Sequence, residues 1–194
     1  MSLTPLIIPI LALISLYSTL AIIATITYFR APSPTEAPHR PSLLLFTLTL
    51  LGGIAIHTHG VYHRLFTPQP SLPPWNLVLI LLLQICSHAL WTWTRRTVSR
   101  NEFTRALSRD VPKKLVTTGP YAYTRNPFYA SYLMSFAATA VLSGRGVDYM
   151  VLGASYVAYW LVAVGEERKF MQSELRGEYE AFRRGRARFF VGAL

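Results

Sequence analysis

The sequence predicts an all-α membrane protein with about five transmembrane helices and an amphipathic C-terminal helix on the cytosolic side. The 194-residue chain is 52% hydrophobic and only 14% charged, whereas a typical soluble domain carries about 25% charged residues. A hydrocarbon core of about 30 Å needs about 20 helical residues to cross it, and the apolar residues gather in runs of roughly that length. The runs cover residues 3–29, 43–62, 75–94, 128–143 and 147–165.

These runs are assigned to a single membrane domain, residues 1–194, with three spans in residues 1–94 and two in residues 95–194. The first three runs reach the length of a span. The fourth is short and the fifth marginal, so these two are expected to tilt, to thin the bilayer or to form a packed hairpin. A signal peptide is disfavoured for the first run, which lacks a positive n-region and is longer than the usual apolar region. Residues 166–188 are predicted to form a charged amphipathic helix that Gly177 can interrupt.

The basic residues are distributed unevenly around the predicted spans. A net charge of +10 in a soluble protein would suggest a nucleic-acid partner. Here all of the 19 Lys and Arg residues except Arg64 and Arg145 fall in the first loop, the third loop and the tail, which share one side of a five-span protein. Basic loops remain in the cytosol. The distribution therefore predicts a cytosolic third loop and tail, an N-terminus outside the cytosol, and no nucleic-acid partner.

Residues 113–129 form a polar, turn-rich stretch that leads directly into the fourth apolar run. Within it, Asn126-Pro127 is typical of a helix start, with Asn as N-cap and Pro at the first helical position. A helix N-terminus presents backbone N–H groups and the positive end of a dipole, so it can also hold a carboxylate. Arg125 beside it can add a charge-assisted pair of hydrogen bonds. The alternative is that the Asn-Pro pair only caps the helix and that Arg125 is a membrane-interface residue.

Two adjacent acids, Glu166 and Glu167, stand at the end of the fifth apolar run. Adjacent residues on a helix point about 100° apart, so only one of the two can face a given pocket. The other is then expected to pair with Arg168, Lys169 or water. The alternative is that both acids are simply solvated, because an acid at the edge of a span costs much less than one at its centre.

Three histidines, His57, His59 and His63, suggest a metal site, because His59 and His63 are four residues apart and share a helix face. No Glu or Cys lies near them in the sequence, and they fall on the predicted non-cytosolic side. Ordinary interfacial histidines are therefore the favoured interpretation, and no metal is predicted. His88 lies inside the third run, where a hydrogen bond to a neighbouring helix is favoured over a functional role. The lone Cys86 excludes an internal disulfide.

Three motifs follow one another in the second half of the chain. They are Leu-Val-Thr-Thr-Gly-Pro-Tyr-Ala-Tyr-Thr-Arg-Asn-Pro-Phe-Tyr at 115–129, then Glu166-Glu167, then Gly177-Glu178-Tyr179 with Phe182. Together, over roughly residues 95–190, they resemble the isoprenylcysteine carboxyl methyltransferase family and the wider group that includes the phospholipid methyltransferases. The resemblance implies an integral membrane enzyme, expected in the endoplasmic reticulum, that takes a methyl group from S-adenosylmethionine at the cytosolic face.

The resemblance also assigns roles to particular residues. Arg125 and Glu167 are the candidate catalytic residues. The positions that match cofactor contacts are Lys113, Lys114, Leu115, Val116, Tyr121, Asn126, Pro127, Phe128, Tyr129 and Glu167. The methionine carboxylate is expected at the helix start, aromatic rings beside the adenine, and a carboxylate on the amino or ribose groups.

Two positions depart from the family pattern. Asn126 stands where the family has His, and an amide cannot carry charge or relay a proton. Ala163 stands where prenylcysteine enzymes carry an Arg that contacts the substrate. The leading expectation is carboxyl methylation of a prenylated cysteine that enters from the bilayer. The alternatives are methylation of a lipid amine, methylation or cyclisation of a terpenoid or prenylated metabolite, and a non-catalytic membrane relative.

Overall fold

The structure is a computed structural model that describes residues 43–68, 71–98, 112 and 114–190. These residues form five α-helices and a short 3-10 helix, and none of them lies in a strand. The elements are α1 (Leu43–Phe66), α2 (Pro74–Thr97), the 3-10 helix Gly119–Ala122, α3 (Pro127–Ser143), α4 (Gly146–Met171) and α5 (Arg176–Arg183). The all-helical prediction is confirmed for this part of the chain. The first predicted span and Lys113 lie outside the described residues.

Two of these helices, α2 and α4, are long and apolar enough to cross a membrane, judged by length and composition. Both turn large apolar side chains outward. They are Trp75, Val78, Leu82 and Ile85 on α2, and Met150, Val157 and Leu161 on α4. Exposure of such side chains to water is unfavourable in proportion to their area, so these surfaces suit hydrocarbon surroundings.

The interior helix is α3, which packs against α1, α2 and α4. Thirteen of its 17 residues are buried, so it contacts protein on most sides. At 1.5 Å per residue it is about 25 Å long, somewhat less than a hydrocarbon core. It starts at Pro127 and ends at Ser143. The C-cap residue Gly144 has a left-handed φ of 67°, and its N–H donates to Ala140 O at 3.0 Å.

Buried polar groups connect the apolar helices. His57 of α1 and Thr139 of α3 approach to 2.7 Å between Nδ1 and Oγ1, and Ser87 of α2 donates to Ser131 O of α3 at 2.8 Å. Such bonds hold helices together where no hydrophobic effect drives their association. His57 is only 3% exposed, so it serves as a contact between helices, and its position at the membrane interface stays a prediction. His88 Nδ1 contacts a carbonyl of its own helix at 2.7 Å, and its bond to a neighbouring helix stays a prediction.

The predicted helix over residues 166–188 is interrupted, and the break is not at Gly177. Helix α4 continues to Met171, and α5 begins only after a turn over residues 172–175. Ser173 explains the break, because its hydroxyl donates to Phe170 O at 2.8 Å and accepts from Leu175 N at 3.1 Å. A serine side chain that takes over backbone hydrogen bonds competes with the helix.

Candidate functional site

The start of α3 is joined to the C-terminal tail. Arg125 N donates to Ala187 O at 2.9 Å, and Asn126 N donates to Arg188 O at 3.1 Å. Asn126 Nδ2 donates to the same Arg188 oxygen at 3.2 Å. Asn126 and Pro127 thus occupy the predicted N-cap and first helical positions, but the Asn126 side chain makes no capping hydrogen bond. The predicted side-chain cap is therefore not formed, and the amide nitrogen of Asn126 binds the tail carbonyl.

Glu167 lies at the centre of a charged cluster. Arg188 donates Nε to Oε1 at 2.9 Å and Nη2 to Oε2 at 3.1 Å, while Arg125 donates Nη1 to Oε2 at 3.2 Å. The side chains of Glu167, Arg125 and Arg188 are only 11%, 14% and 22% exposed. Hydrogen bonding to Glu167 raises the pKa of Arg188 above its ordinary value, so this guanidinium stays charged. Two cations around one anion leave the cluster with a surplus positive charge.

Glu166 faces a different environment. Tyr129 donates its hydroxyl to Glu166 Oε1 at 2.7 Å. The Tyr129 ring stacks on Tyr159, with centroids 5.1 Å apart and planes 16° apart, and meets Phe189 edge-on at 6.5 Å. The two acids therefore separate as helix geometry requires, with Glu167 toward the arginines and Glu166 toward aromatic rings.

The other predicted cofactor residues lie along the approach to α3. Phe128 is buried in the main apolar cluster, and Val116 and Tyr121 pack against that cluster. Leu115 is half-buried and Lys114 is exposed. The structure thus brings the aromatic and apolar members of the set together, whereas Lys114 faces outward.

The segment before α3 is held closely between α2 and the tail. Gly119 has a φ of 60°, and a Cβ there would lie 2.4 Å from Thr97 Oγ1, so only glycine fits. On the other side, Arg186 Nε donates to Ala122 O at 3.0 Å. The tail therefore contacts this segment as well as the start of α3.

Helix α5 docks through the third sequence motif. Tyr179 stacks on Phe170 of α4, with centroids 4.9 Å apart and planes 11° apart, and Phe182 is also buried. Burial raises the pKa of Tyr179, and the negative charge of Glu167 acts in the same direction, so the phenol remains neutral. Arg186 lies over the Phe182 ring at 4.7 Å. In this structure, these contacts direct the tail back toward Glu167.

The sequence interpretation did not single out Arg188 and Phe189. The Arg188 guanidinium lies over the Trp160 ring at 5.0 Å. Phe189 is 4% exposed and joins the same cluster as Ala163, which is fully buried. One signal was available: the apolar pair Phe189-Phe190 after a run of arginines indicates a chain that returns to the core. Nothing in the sequence distinguished Arg188 from its basic neighbours.

The histidines of α1 lie at the opposite end of the helices. His59 Nδ1 and Asp148 Oδ1 are 2.8 Å apart, and Asp148 is almost fully buried. His63 Nδ1 and Arg145 Nη1 are 3.4 Å apart. Among the described residues, no three His, Cys, Asp or Glu side chains converge as metal ligands. His59 is therefore one half of a helix-to-helix pair rather than a simple interfacial residue.

The fold and the cluster define a class of protein: helices with membrane-type surfaces that carry a partly buried charged site at one end. Residues 75–176, more than half of the chain, match the family model for phospholipid methyltransferase. The chain belongs to that family, as the motif resemblance predicted, and membership implies a membrane-associated methyltransferase. Neither the curated proteins nor the solved structures gave a match.

Proposed function

We propose that this chain binds S-adenosylmethionine beside Glu167 and transfers its methyl group to a lipophilic acceptor from the bilayer. The carboxylate of a prenylated cysteine is the leading acceptor. The Arg125–Glu167–Arg188 cluster carries the proposal, because it places a partly buried positive site where α3, α4 and the tail meet. Methyltransferases of this family generally use S-adenosylmethionine, which supports the choice of cofactor.

The cluster fits the charged groups of S-adenosylmethionine. Arg125 Nε is buried and has no hydrogen-bond partner among the described residues. An unmet buried donor costs about 1–3 kcal/mol, so an added carboxylate that accepts from it would be stabilised. Glu167 accepts three hydrogen bonds, and a carboxylate offers about four acceptor positions, so room remains for one donor. The methionine carboxylate is assigned to Arg125 and the start of α3, and the amino or ribose group to Glu167.

The residues of the chain act mainly by alignment and by exclusion of water. S-adenosylmethionine, when bound, supplies an electrophilic methyl group. A carboxylate acceptor is already ionised and has no proton to lose, so it needs only orientation and partial removal of water. The surplus positive charge of Arg125 and Arg188 suits an anionic acceptor. The packed rings of Tyr129, Tyr159 and Phe189 keep water from the apolar side of the cluster.

A lipid amine is the second candidate acceptor, and Glu166 favours it. An amine that gains a methyl group must release a proton, and a carboxylate beside the acceptor can take it. Glu166 is next to the cluster, and it accepts a hydrogen bond from the Tyr129 hydroxyl at 2.7 Å. Ala163, small and fully buried, brings no positive charge that would select a carboxylate.

The test uses the full chain in lipid nanodiscs with methyl-labelled S-adenosylmethionine. A farnesylated cysteine analogue, phosphatidylethanolamine and no added acceptor form the three arms. Label in a base-labile methyl ester supports the leading acceptor, and label on the amine supports the second. Arg125→Gln should weaken cofactor binding, whereas Arg183→Gln, an equal charge change at an exposed position of α5, should not. Absence of both cofactor binding and transfer in the wild type refutes the proposal.

We also propose a topology: the chain crosses the endoplasmic reticulum membrane five times, and its site lies at the cytosolic face. The charge distribution along the sequence supports it. The test replaces the exposed native thiol, Cys86→Ser, and introduces single cysteines at the exposed positions Thr118 and Pro68. An impermeant thiol reagent should label Thr118→Cys only from the cytosolic side and Pro68→Cys only from the other side. Labelling of both from the same side excludes this topology.

A further inference from the structure

The tail contributes to the charged cluster, although it lies beyond the segment that matches the family, which ends at residue 176. Of the three hydrogen bonds that Glu167 accepts, two come from Arg188. Nε contacts one carboxylate oxygen and Nη2 the other, which is a fork geometry that defines direction as well as distance. The Glu167 carboxylate therefore cannot rotate without breaking a bond to the tail.

Arg188 is itself held by several contacts. Its guanidinium lies over the Trp160 ring at 5.0 Å, and its carbonyl accepts from Asn126 N at 3.1 Å. The next residue, Phe189, is buried among the aromatic side chains. Trp160 and Glu167 are seven residues apart on α4 and share a face, so Arg188 spans two turns of that helix. The Trp160 ring and the backbone hydrogen bond to Asn126 already restrict the Arg188 guanidinium. It therefore loses little further conformational entropy when it binds a carboxylate.

We infer that Arg188 is a positioning residue of the methyl-transfer site: it sets the direction of Glu167, and the site is complete only when the tail is docked on the start of α3. The inference rests on the proposed function. Arg188 acts through Glu167, which is the residue assigned to the cofactor.

This role has a kinetic signature. A group that binds the cofactor equally in the ground state and the transition state affects KM and leaves kcat unchanged. Loss of Arg188 should therefore raise the KM for S-adenosylmethionine with little change in kcat. A merely structural role would reduce the fraction of active enzyme, which lowers the apparent kcat and leaves KM unchanged.

The experiment compares Arg188→Gln and Arg188→Lys with the matched control Arg184→Gln in the full chain. The control removes the same charge from an exposed position of the same tail. Arg188→Gln should weaken S-adenosylmethionine binding about tenfold or more, since charge-assisted hydrogen bonds are among the stronger ones. Arg188→Lys keeps the positive charge but loses the two-pronged geometry of the guanidinium. Its affinity for S-adenosylmethionine should therefore lie between those of the wild type and Arg188→Gln. Equal affinities for Arg188→Gln and Arg184→Gln overturn the inference.

A double variant tests whether Arg188 acts through Glu167. Glu167→Gln combined with Arg188→Gln should bind no more weakly than Glu167→Gln alone, because the second change removes nothing further. Additive losses show that the two residues act independently and overturn the inference.

A readout without cofactor separates this inference from the proposed function. The amides of Arg125 and Asn126 donate to the tail, so docking should slow their hydrogen exchange. If the wild type binds no S-adenosylmethionine, the proposed function fails. Loss of amide protection in Arg188→Gln but not in Arg184→Gln would still support tail docking by Arg188. Equal protection of the Arg125 and Asn126 amides in Arg188→Gln and Arg184→Gln would overturn the inference that Arg188 docks the tail.

Discussion

The charged cluster makes Glu167→Gln the most informative perturbation of stability. Glu167 Oε2 lies 3.2 Å from Arg125 Nη1 and 3.1 Å from Arg188 Nη2. The two donor nitrogens are thus at most about 6 Å apart, and two unit charges at that separation repel by about 3 kcal/mol at an effective dielectric constant of about 20. Gln keeps the shape and one acceptor oxygen but does not neutralise this repulsion.

The expected loss in the free energy of unfolding is about 2–4 kcal/mol. The arginine side chains are 14% and 22% exposed, so water relieves only part of the repulsion. This expected loss overlaps the lower part of the range of about 3–5 kcal/mol for breaking a buried ion pair. For a chain of this size, each kcal/mol corresponds to about 2–4 °C in the melting temperature. The melting temperature is measured as the midpoint of the loss of the helical circular dichroism signal on heating in detergent.

Two further variants make this expectation refutable. Glu178→Gln removes an acid from an exposed position of α5 and should change the unfolding free energy by less than about 0.5 kcal/mol. Combining Glu167→Gln with Arg188→Gln removes one of the repelling charges and should restore part of the lost stability. A melting temperature of Glu167→Gln equal to that of Glu178→Gln, or a double variant that melts below the single one, would show that the electrostatic reasoning is wrong.

Further expected outcomes concern the packing of the helices. Gly60→Ala places a methyl group 2.6 Å from Thr139 Cγ2, so the Thr139 side chain or the two helices must shift, and overpacking of this kind costs about 1–3 kcal/mol. The control Gly153→Ala meets nothing within 4 Å and should be neutral or slightly stabilising in thermal melts; a Gly60→Ala protein that melts like this control contradicts the close approach. Tyr129→Phe leaves the ring stack but removes the donor to Glu166, with an expected loss of about 1.5–3 kcal/mol by the same measurement. A loss below about 0.5 kcal/mol would show that this hydrogen bond contributes little.

Several features were accessible from local sequence patterns. The apolar runs predicted the starts of α1, α2, α3 and α4, although α4 continues to Met171, beyond the run that ends at residue 165, and Asn126-Pro127 marked the start of α3. The angle between adjacent helical residues predicted that Glu166 and Glu167 would face different environments. These features depend on residues at most a few positions apart, where helix geometry alone determines the outcome. The motif order indicated the family, which the match over residues 75–176 confirmed.

Partner choice between distant residues required the tertiary structure. His59 meets Asp148 across 89 positions, and Glu167 meets Arg188 across 21. The tail offers several arginines with the same charge and reach, so composition cannot select one.

What the sequence by itself determined is where helices form, that Glu166 and Glu167 face different environments and which family the chain belongs to. Only the tertiary structure decided which arginine holds Glu167. The turn at Ser173 and the docking of Tyr179 on Phe170 set the path of the tail, and that path brings Arg188 to the carboxylate. The physical reason is that a helix forms through hydrogen bonds between residues four apart, whereas an ion pair forms wherever packing brings two opposite charges within a few ångströms.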